Sequence, residues 1–444
     1  MTLADRRQPA FTAETLLRVG LIWLVVSAIF VIGKWTAISS TAHVGNDGAM
    51  PLAQLMRGTS LFDFQQFEAD SGQVTGMLWS RLIDVPPALL QLALQPLLGI
   101  ALAEKITMVI MPLLAMGGAM LLSAQLARRL FGDEMIFYVL LILAMAIPVT
   151  GQFQPLRIDH LDWQIVAVLA ALNGLTSRSA RIGGAGSGVA LGLGLVIGPE
   201  VFPIVVLFGL ILALRWFAHS AERGWLIWFL WGLALTGLAT ALLAWSLADF
   251  SSYCGSFSPG HIAGLGIAAL GASVLGPMPR LPRLTLLLAM GLIGTIALSG
   301  TALLAPQCAA GPYTGFARHN MFEWLPVWQF GSAGIAQMIV PPLIGLISTV
   351  RLWGQSHAWL RNFWFEYAVL LAAALLISVF DARAAGLACA IASVPLGWQV
   401  RRWLRAAQME RRPSARIPSF TAMALAVMPS LPLIGIASLI AGSA

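Results

Sequence analysis

One polar segment of this chain begins directly after its first apolar run and carries groups that could do acid–base chemistry. Residues 39–84 include the candidate site residues His43, Asp47, Glu68 and Arg81. Asp47 lies so soon after the apolar run that its carboxylate would stay near a membrane surface, where it could act as a general base on a lipid-linked substrate. On spacing alone, Asn46-Asp47-Gly48 is more typical of an Asx-turn or a helix cap.

A second polar segment, QFQPLRIDHLDWQ at 152–164, places four ionisable groups between two apolar runs. They are Arg157, Asp159, His160 and Asp162. Ionisable groups next to hydrocarbon are costly, so a functional role is the first hypothesis. Asp159 with His160 or Asp162 could ligate a divalent cation such as Mg²⁺ or Mn²⁺, or Arg157 could neutralise a phosphate while the acids orient an acceptor hydroxyl. A structural alternative is an Arg157–Asp159 pair that caps the next helix.

Two further polar turns supply weaker candidates for substrate binding. Glu200, in GPEVFP, is at the tip of a predicted helical hairpin and fits a functional group and a plain turn equally. A later loop contains Arg318, His319 and Glu323 beside Trp324 and Trp328. These Trp side chains could stack on sugar rings, although tryptophans at the membrane interface are the more common explanation.

Cysteines give one candidate cross-link. Cys254 and Cys308 fall in polar loops that the topology below places on the same outer side, where an oxidising compartment would allow a disulfide. Two unpaired thiols are the alternative, because the sequence gives no distance between them. Cys389 lies in an apolar run and is predicted to be a small buried hydrophobe.

The composition of the chain indicates that membrane-spanning segments position these polar groups. Of 444 residues, 58% are hydrophobic and 10% charged, and mean hydropathy is +0.83. Soluble domains carry about 25% charged residues, so the solvent of this chain is the lipid bilayer. The net charge of +7 resides in Arg clusters between apolar runs, which indicates membrane topology and not a nucleic-acid partner. The sequence has no P-loop, HExxH, CxxC or GxSxG motif.

Apolar runs predict an all-α polytopic bundle of about 13 spans. They lie near 19–38, 106–126, 135–150, 163–177, 184–198, 201–217, 225–247, 262–279, 285–304, 332–350, 364–380, 385–400 and 419–441. With this count, most Lys and Arg residues fall on the N-terminal, cytoplasmic side and most acids outside. The stretch 85–102 is interrupted by three prolines and would break the alternation, so it is predicted to be a re-entrant or surface helix on the outer face.

Several motifs resemble the GT-C superfamily of integral membrane glycosyltransferases, which includes protein O-mannosyltransferases, aminoarabinose transferases and oligosaccharyltransferase catalytic subunits. They are the acidic first loop with Asp47, VPPALLQLALQPLLG, LARRLFGDE, RIDHLDWQ and the Gly-rich hairpin GVALGLGLVIGPEVFP. More closely, NDGAMPLAQLMRG, FDFQQF, WSRLID and APQC resemble a set of alphaproteobacterial GT-C-like membrane proteins. Relatives tend to have two adjacent acids where this chain has Asn46-Asp47, so only Asp47 is carried over as a base.

The resemblance implies a single membrane domain, 1–444, with a GT-C-like catalytic half at 1–217 and a C-terminal transmembrane half at 218–444. Residues 39–105 would form a long first periplasmic loop with surface helices. The expected enzyme resides in the bacterial inner membrane, with a cytoplasmic N-terminus and a periplasmic active site. It would transfer a sugar from a polyprenyl-phosphate donor to a glycan, lipid or protein acceptor, with inversion.

In that reaction Asp47 would be the catalytic base, and Asp159 would be a second catalytic residue. A divalent cation near Asp159, or one of Arg157, Arg81 and Arg318, would stabilise the leaving phosphate. The main alternative is a secondary transporter or lipid-linked glycan flippase, which would also need many spans with Pro and Gly breaks. A non-catalytic assembly scaffold is a third possibility.

The topology can be tested with a reporter fused after Arg405. We expect a cytoplasmic signal, because the basic cluster at 401–416 follows an even number of predicted crossings. A fusion in the 39–84 loop is the matched control and should report the outer side. A periplasmic signal at Arg405 would contradict the span count.

Overall fold

The structure, a computed structural model, describes residues 11–40, 65–67, 74–76, 83, 85–158, 160–244, 259–278, 282–304 and 325–431. The chain divides by internal contacts into two units. The first unit takes its described residues from 1–40, 112–157 and 322–444, and the second from 41–111 and 158–321. The units interleave along the chain and do not coincide with the predicted halves, so the catalytic half at 1–217 stays a prediction.

Helices form nearly all of the described structure. They are α1 (Ala13–Gly33), α2 (Trp35–Ser40), α3 (Val85–Leu98), α4 (Ile100–Phe131), α5 (Ile136–Met145), α6 (Ile147–Thr150), α7 (His160–Leu175), α8 (Ala180–Ile197), α9 (Phe202–Ala218), α10 (Arg223–Ala244), α11 (Pro259–Leu275), α12 (Arg283–Leu304), α13 (Ser332–Gln355), α14 (Ala358–Phe380), α15 (Ala385–Met409) and α16 (Pro413–Val427). Strands β1 (Gln65–Phe67) and β2 (Val74–Gly76) form a small antiparallel hairpin within the predicted first loop. The all-α polytopic class is confirmed, with this hairpin as a local exception.

Every predicted span overlaps a helix, and two of them are divided between two helices: 19–38 between α1 and α2 at Lys34, and 135–150 between α5 and α6 at Ala146. Six of the described helices are long and apolar enough to cross a membrane, and four shorter ones are also apolar. The helical positions are therefore confirmed, whereas the number of crossings stays a prediction.

The proline-containing stretch near residue 90 is helical, as predicted. Helix α3 ends at Leu98, and Gly99 adopts a positive φ of 76° before α4 begins. Glycine suits this position because a left-handed conformation is costly for residues with a Cβ atom. Ala88 and Gln91 on α3 are buried, while Leu89 and Leu97 are exposed. The helix thus has an apolar outer surface, and its position relative to the bilayer stays a prediction.

Helix α8 packs on α7 and α10 with almost no side-chain layer between the backbones. An added Cβ atom at Gly188 would lie 2.2 Å from the carbonyl oxygen of Phe229 and 3.0 Å from the Cα atom of Gly232. On the α7 side, a Cβ atom at Gly174 would lie 2.9 Å from the carbonyl oxygen of Gly183. Small residues at helix interfaces allow this close approach in membranes. The glycine-rich sequence of α8 therefore fixes its distance from two neighbours.

In the first unit, α15 is the central helix and continues beyond the predicted span end at residue 400. Its buried half packs on α5, α13 and α14, and the Tyr367 hydroxyl donates to the carbonyl oxygen of Ile391 at 2.6 Å. Its extension carries Arg401 and Arg405, which both form ion pairs with Glu134 in the turn before α5. The basic cluster therefore begins as part of a continuous helix.

Two glycines of α8 give a direct test of this packing. Gly188→Ala should lower the free energy of unfolding by about 1–3 kcal/mol, because the new methyl group would overlap the α10 backbone. Gly186→Ala is the control, because Gly186 is exposed and an added Cβ atom would meet nothing within 4 Å. Thermal unfolding of both purified variants in detergent provides the measurement. Equal stability of the two variants would contradict the close approach.

Candidate functional site

Polar side chains meet in the second unit where α7 begins and α8 ends. His160 is the first residue of α7, and Gln164 lies one turn later on the same face of the helix. Helix α8 ends before Gly198, and a short 3₁₀ turn, Pro199–Val201, leads into α9. Because α7 and α8 are connected by a short turn and pack on each other, the start of α7 and the end of α8 lie at the same end of the pair.

The carboxylate of Glu200 is held from both of its oxygens. His160 Nε2 lies 3.1 Å from Glu200 Oε1, and Gln164 Nε2 donates to Glu200 Oε2 at 3.1 Å. Gln164 Nε2 also donates to the carbonyl oxygen of Gly198 at 3.0 Å. The side chains of His160 and Glu200 are only 10% and 12% exposed. The predicted residues His160 and Glu200 are thus brought together in a nearly buried cluster.

Gly198 is required in this cluster for its size and not for its backbone angle. Its φ of −163° is extended and open to any residue. A Cβ atom there would lie 2.4 Å from Glu200 Oε2 and 2.6 Å from Gln164 Nε2. Any side chain at this position would displace the groups that hold the carboxylate.

Glu200, in the turn between α8 and α9, is kept ionised by its hydrogen bonds and by the nearby His160. Burial alone would raise the pKa of its carboxyl group, because the charged form loses water. The hydrogen bond and the electrostatic attraction from His160, together with a backbone hydrogen bond and the Gln164 hydrogen bond, outweigh that effect. The net result is a pKa below the ordinary value, so Glu200 is an anion at neutral pH.

The other described site residues have different surroundings. Asp162 is 2% exposed, and its Oδ1 accepts from the backbone N–H of Trp163 at 2.6 Å. Arg157 belongs to the first unit, where it is exposed and its Nη1 donates to the carbonyl oxygen of Gly151 at 3.1 Å. Leu156, just before it, has a φ of 72°, which is strained for a residue with a side chain. The predicted role of Arg157 in phosphate binding stays a prediction.

Most of the predicted site lies outside the described residues. This applies to the first-loop candidates and Asp159, to both cysteines of the predicted disulfide, and to the later-loop candidates: His43, Asp47, Glu68, Arg81, Asp159, Cys254, Cys308, Arg318, His319 and Glu323. Their roles stay predictions.

A divalent cation fits the described residues only in part. Within the described ranges, no group of three or more His, Cys, Asp or Glu side chains could hold a metal ion. Of the three tentative ligands, Asp159 is outside those ranges, while His160 engages Glu200 through Nε2 and Asp162 accepts from the Trp163 backbone. The cation therefore stays a prediction that depends on Asp159.

Sequence reasoning missed Gln164 and Gly198, and also a polar turn in the first unit. There, Gln152 Nε2 donates to the carbonyl oxygen of Arg383 at 2.6 Å, and Asp381 Oδ1 accepts from Arg383 Nε at 3.3 Å. One signal could have found Gln164: an amide four residues after His160 in an apolar helix needs a buried partner. The contact with Gly198 has no sequence signal.

Comparison with solved structures gives this helix arrangement a precedent. Three structures of the oligosaccharyltransferase from Archaeoglobus fulgidus are similar to the chain, with TM-scores of 0.62–0.63 and 12–13% sequence identity. The matched region covers 94–95% of this chain and 55–56% of the oligosaccharyltransferase chain. The chain has a GT-C-like fold. It spans just over half the length of the structures that it matches.

At this level of identity, the likeness shows the GT-C-like fold that the sequence motifs predicted, and it leaves the chemistry to be argued from the site. No protein-family model matches the chain. No curated protein matches it either.

The charge on Glu200 gives the folded state a pH dependence that can be measured. Because the folded-state pKa lies below the ordinary value, ionised Glu200 stabilises the fold above that value, and this contribution is lost as the pH falls through the folded-state pKa. Wild type should therefore exceed Glu200→Gln in Tm by more at about pH 7 than at about pH 4. Thermal unfolding in detergent at both pH values checks this. A difference that does not change with pH would contradict an ionised Glu200.

Proposed function

We propose that the chain is a membrane glycosyltransferase of the GT-C type that uses a polyprenyl-phosphate sugar as donor. The observation that carries the proposal is the match of 95% of the chain to an oligosaccharyltransferase fold. The buried cluster of His160, Gln164 and Glu200 supports it, since ionisable groups with perturbed pKa values cluster at functional sites. Both features agree with the reaction class that the sequence motifs imply.

The solved relatives support a lipid-linked donor. One of them is a complex with an inhibitory peptide and a dolichol-phosphate, and another holds a tethered acceptor peptide with an NVT sequon. Dolichol-phosphate is a polyprenol-type lipid phosphate, so a similar carrier fits an enzyme with this fold. The acceptor of this chain is proposed more broadly, as an envelope glycan, lipid or protein, because the chain spans just over half of those structures.

The position of the cluster favours chemistry at one end of the helix pair. His160 begins α7, and Glu200 follows α8, so both lie where the chain leaves its apolar helices. The predicted topology assigns this end to the outer side, together with the first loop and Asp47. Asp159, the second proposed catalytic residue, precedes His160 directly in the sequence.

The proposed reaction is an inverting displacement. Asp47 accepts the proton of the acceptor hydroxyl as its oxygen attacks the anomeric carbon. The new glycosidic bond forms as the bond from that carbon to the phosphate oxygen breaks, and polyprenyl phosphate leaves with the electron pair. A cation must stabilise this phosphate, and Arg157 is preferred to Arg81 and Arg318 for that role.

A secondary transporter or flippase is the second candidate, and one described residue favours it. Glu366 is 6% exposed within α14, and a buried carboxylate inside an apolar helix can mark an ion pathway. Against this, the His160–Glu200 pair is at a helix end and not within a span. The two functions differ in a simple outcome, because only an enzyme forms a new glycosidic product.

Transfer from radiolabelled polyprenyl-phosphate sugars in membranes tests the proposal. We expect wild type to form a labelled product and Asp47→Asn to lower kcat by about 100-fold or more, because the general base is lost. Asp63→Asn, in the same predicted loop, is the matched control and should keep wild-type activity. No transfer from any donor by wild type, or equal activity of Asp47→Asn, would contradict this function.

A further inference from the structure

Two helices of the first unit form a hairpin whose end carries a dense run of positive charge. Helices α15 and α16 pack on each other, and Leu396 of α15 shares a buried core cluster with Ala426 and Val427 of α16. At about 1.5 Å per residue, both helices extend about 20 Å beyond this core to the turn that joins them. Residues 401–416, here called the basic tip, contain six arginines and one acid.

The described structure balances few of these positive charges. Arg401 and Arg405 share the carboxylate of Glu134, and Arg405 lies 3.6 Å from it. The side chain of Arg405 is 62% exposed, and an exposed ion pair of this kind contributes little. Glu410, the acid of the tip, accepts a hydrogen bond from the backbone N–H of Arg412. The basic tip therefore keeps an excess of positive charge.

The unbalanced arginines are exposed. Arg402 and Arg405 lie one turn apart on the same face of α15, and Arg411 and Arg412 lie between α15 and α16. Among the described residues, no carboxylate forms an ion pair with Arg402, Arg411 or Arg412. Arg402 contacts the ring of Trp398, at 5.7 Å from its centroid. These guanidinium groups are thus available to an anionic partner.

Apolar side chains beside the arginines are exposed as well. Met409, the last residue of α15, is 78% exposed, while Ile417 and Phe420 on one face of α16 are 61% and 51% exposed. Surfaces that combine cations with apolar side chains fit the interface of a bilayer. There the apolar groups enter the acyl region, and the long arginine side chains keep their charge at the headgroups.

Membrane topology accounts for the sign of this charge but not for its exposure. At two other helix ends of the predicted inner side, the arginines have partners within the protein. Arg128 forms an ion pair with Asp133 at 2.8 Å, and Arg181 lies over the ring of Trp228, 4.7 Å from its centroid. A positive charge orients a membrane protein whether or not it has such a partner. The exposed arginines of the basic tip therefore indicate a binding surface.

We propose that the basic tip binds the headgroups of anionic phospholipids in the bilayer that surrounds the protein. Arginine donates several hydrogen bonds to one phosphate, and clusters of about 4–8 basic residues beside a membrane helix are typical of such binding. A nucleic acid would leave Met409, Ile417 and Phe420 exposed to water, whereas a bilayer covers them. None of these residues takes part in the proposed transferase reaction.

The affinity can be measured on the purified full chain in detergent, from the rise in Tm on titration with short-chain phosphatidylglycerol or phosphatidylcholine. Wild type should bind phosphatidylglycerol more tightly. The triple variant Arg402→Gln, Arg411→Gln and Arg412→Gln should lower that affinity about 10-fold or more, because each arginine near an anionic lipid surface contributes up to about fivefold. Salt at about 0.5 M should weaken wild-type binding, since it screens the charges.

A second triple variant, Arg18→Gln, Arg223→Gln and Arg361→Gln, removes the same number of charges elsewhere and should keep wild-type affinity. Each protein is compared with and without lipid, so a lower Tm of a variant does not affect the result. Equal binding of the two lipids by wild type, or equal loss of affinity in the two triple variants, would overturn the proposal. Tighter binding of RNA or polyprenyl phosphate than of phosphatidylglycerol at the basic tip would also overturn it.

Discussion

The close approach of α8 to α7 and α10 is the constraint on which the candidate site depends. Glycines at the two interfaces remove the side-chain layer that separates most helices, so the backbone of α8 has one permitted distance and register. In that register the turn after α8 lies against the first turn of α7, where His160 and Gln164 contact Glu200. The hydrogen bonds from His160 and Gln164 to Glu200 are 3.1 Å long, so a wider separation of the two helices would weaken them.

The cluster also shows how a carboxylate can remain charged in apolar surroundings. Desolvation of Glu200 is unfavourable, and it is offset because both oxygens accept hydrogen bonds and because His160 attracts the carboxylate electrostatically. Removal of either donor would leave a buried acceptor unsatisfied, which costs more than the hydrogen bond itself contributes. The charge on Glu200 therefore depends on the hydrogen bonds that it accepts. Those hydrogen bonds depend in turn on the space left by the missing side chain at Gly198.

Three buried glutamines share a task that follows from the membrane environment. Gln152, Gln164 and Gln337 each donate from Nε2 to a backbone carbonyl at or just beyond a helix end: those of Arg383, Gly198 and Val427. The last carbonyls of a helix have no intrahelical partner, and hydrocarbon supplies none. A long amide from a neighbouring helix satisfies them and, in the case of Gln164, also orients a carboxylate.

The sequence by itself determined the helices, their order and the fold class, because hydropathy is additive along the chain and the lipid solvent requires hydrogen bonds within each apolar segment. It also identified His160 and Glu200 separately as candidates. Only the tertiary structure decided that they form a pair, and that Gln164 and Gly198 belong with them. The physical reason is that this contact joins residues far apart in the chain through the register of packed helices, which close-range backbone contacts determine and local composition does not.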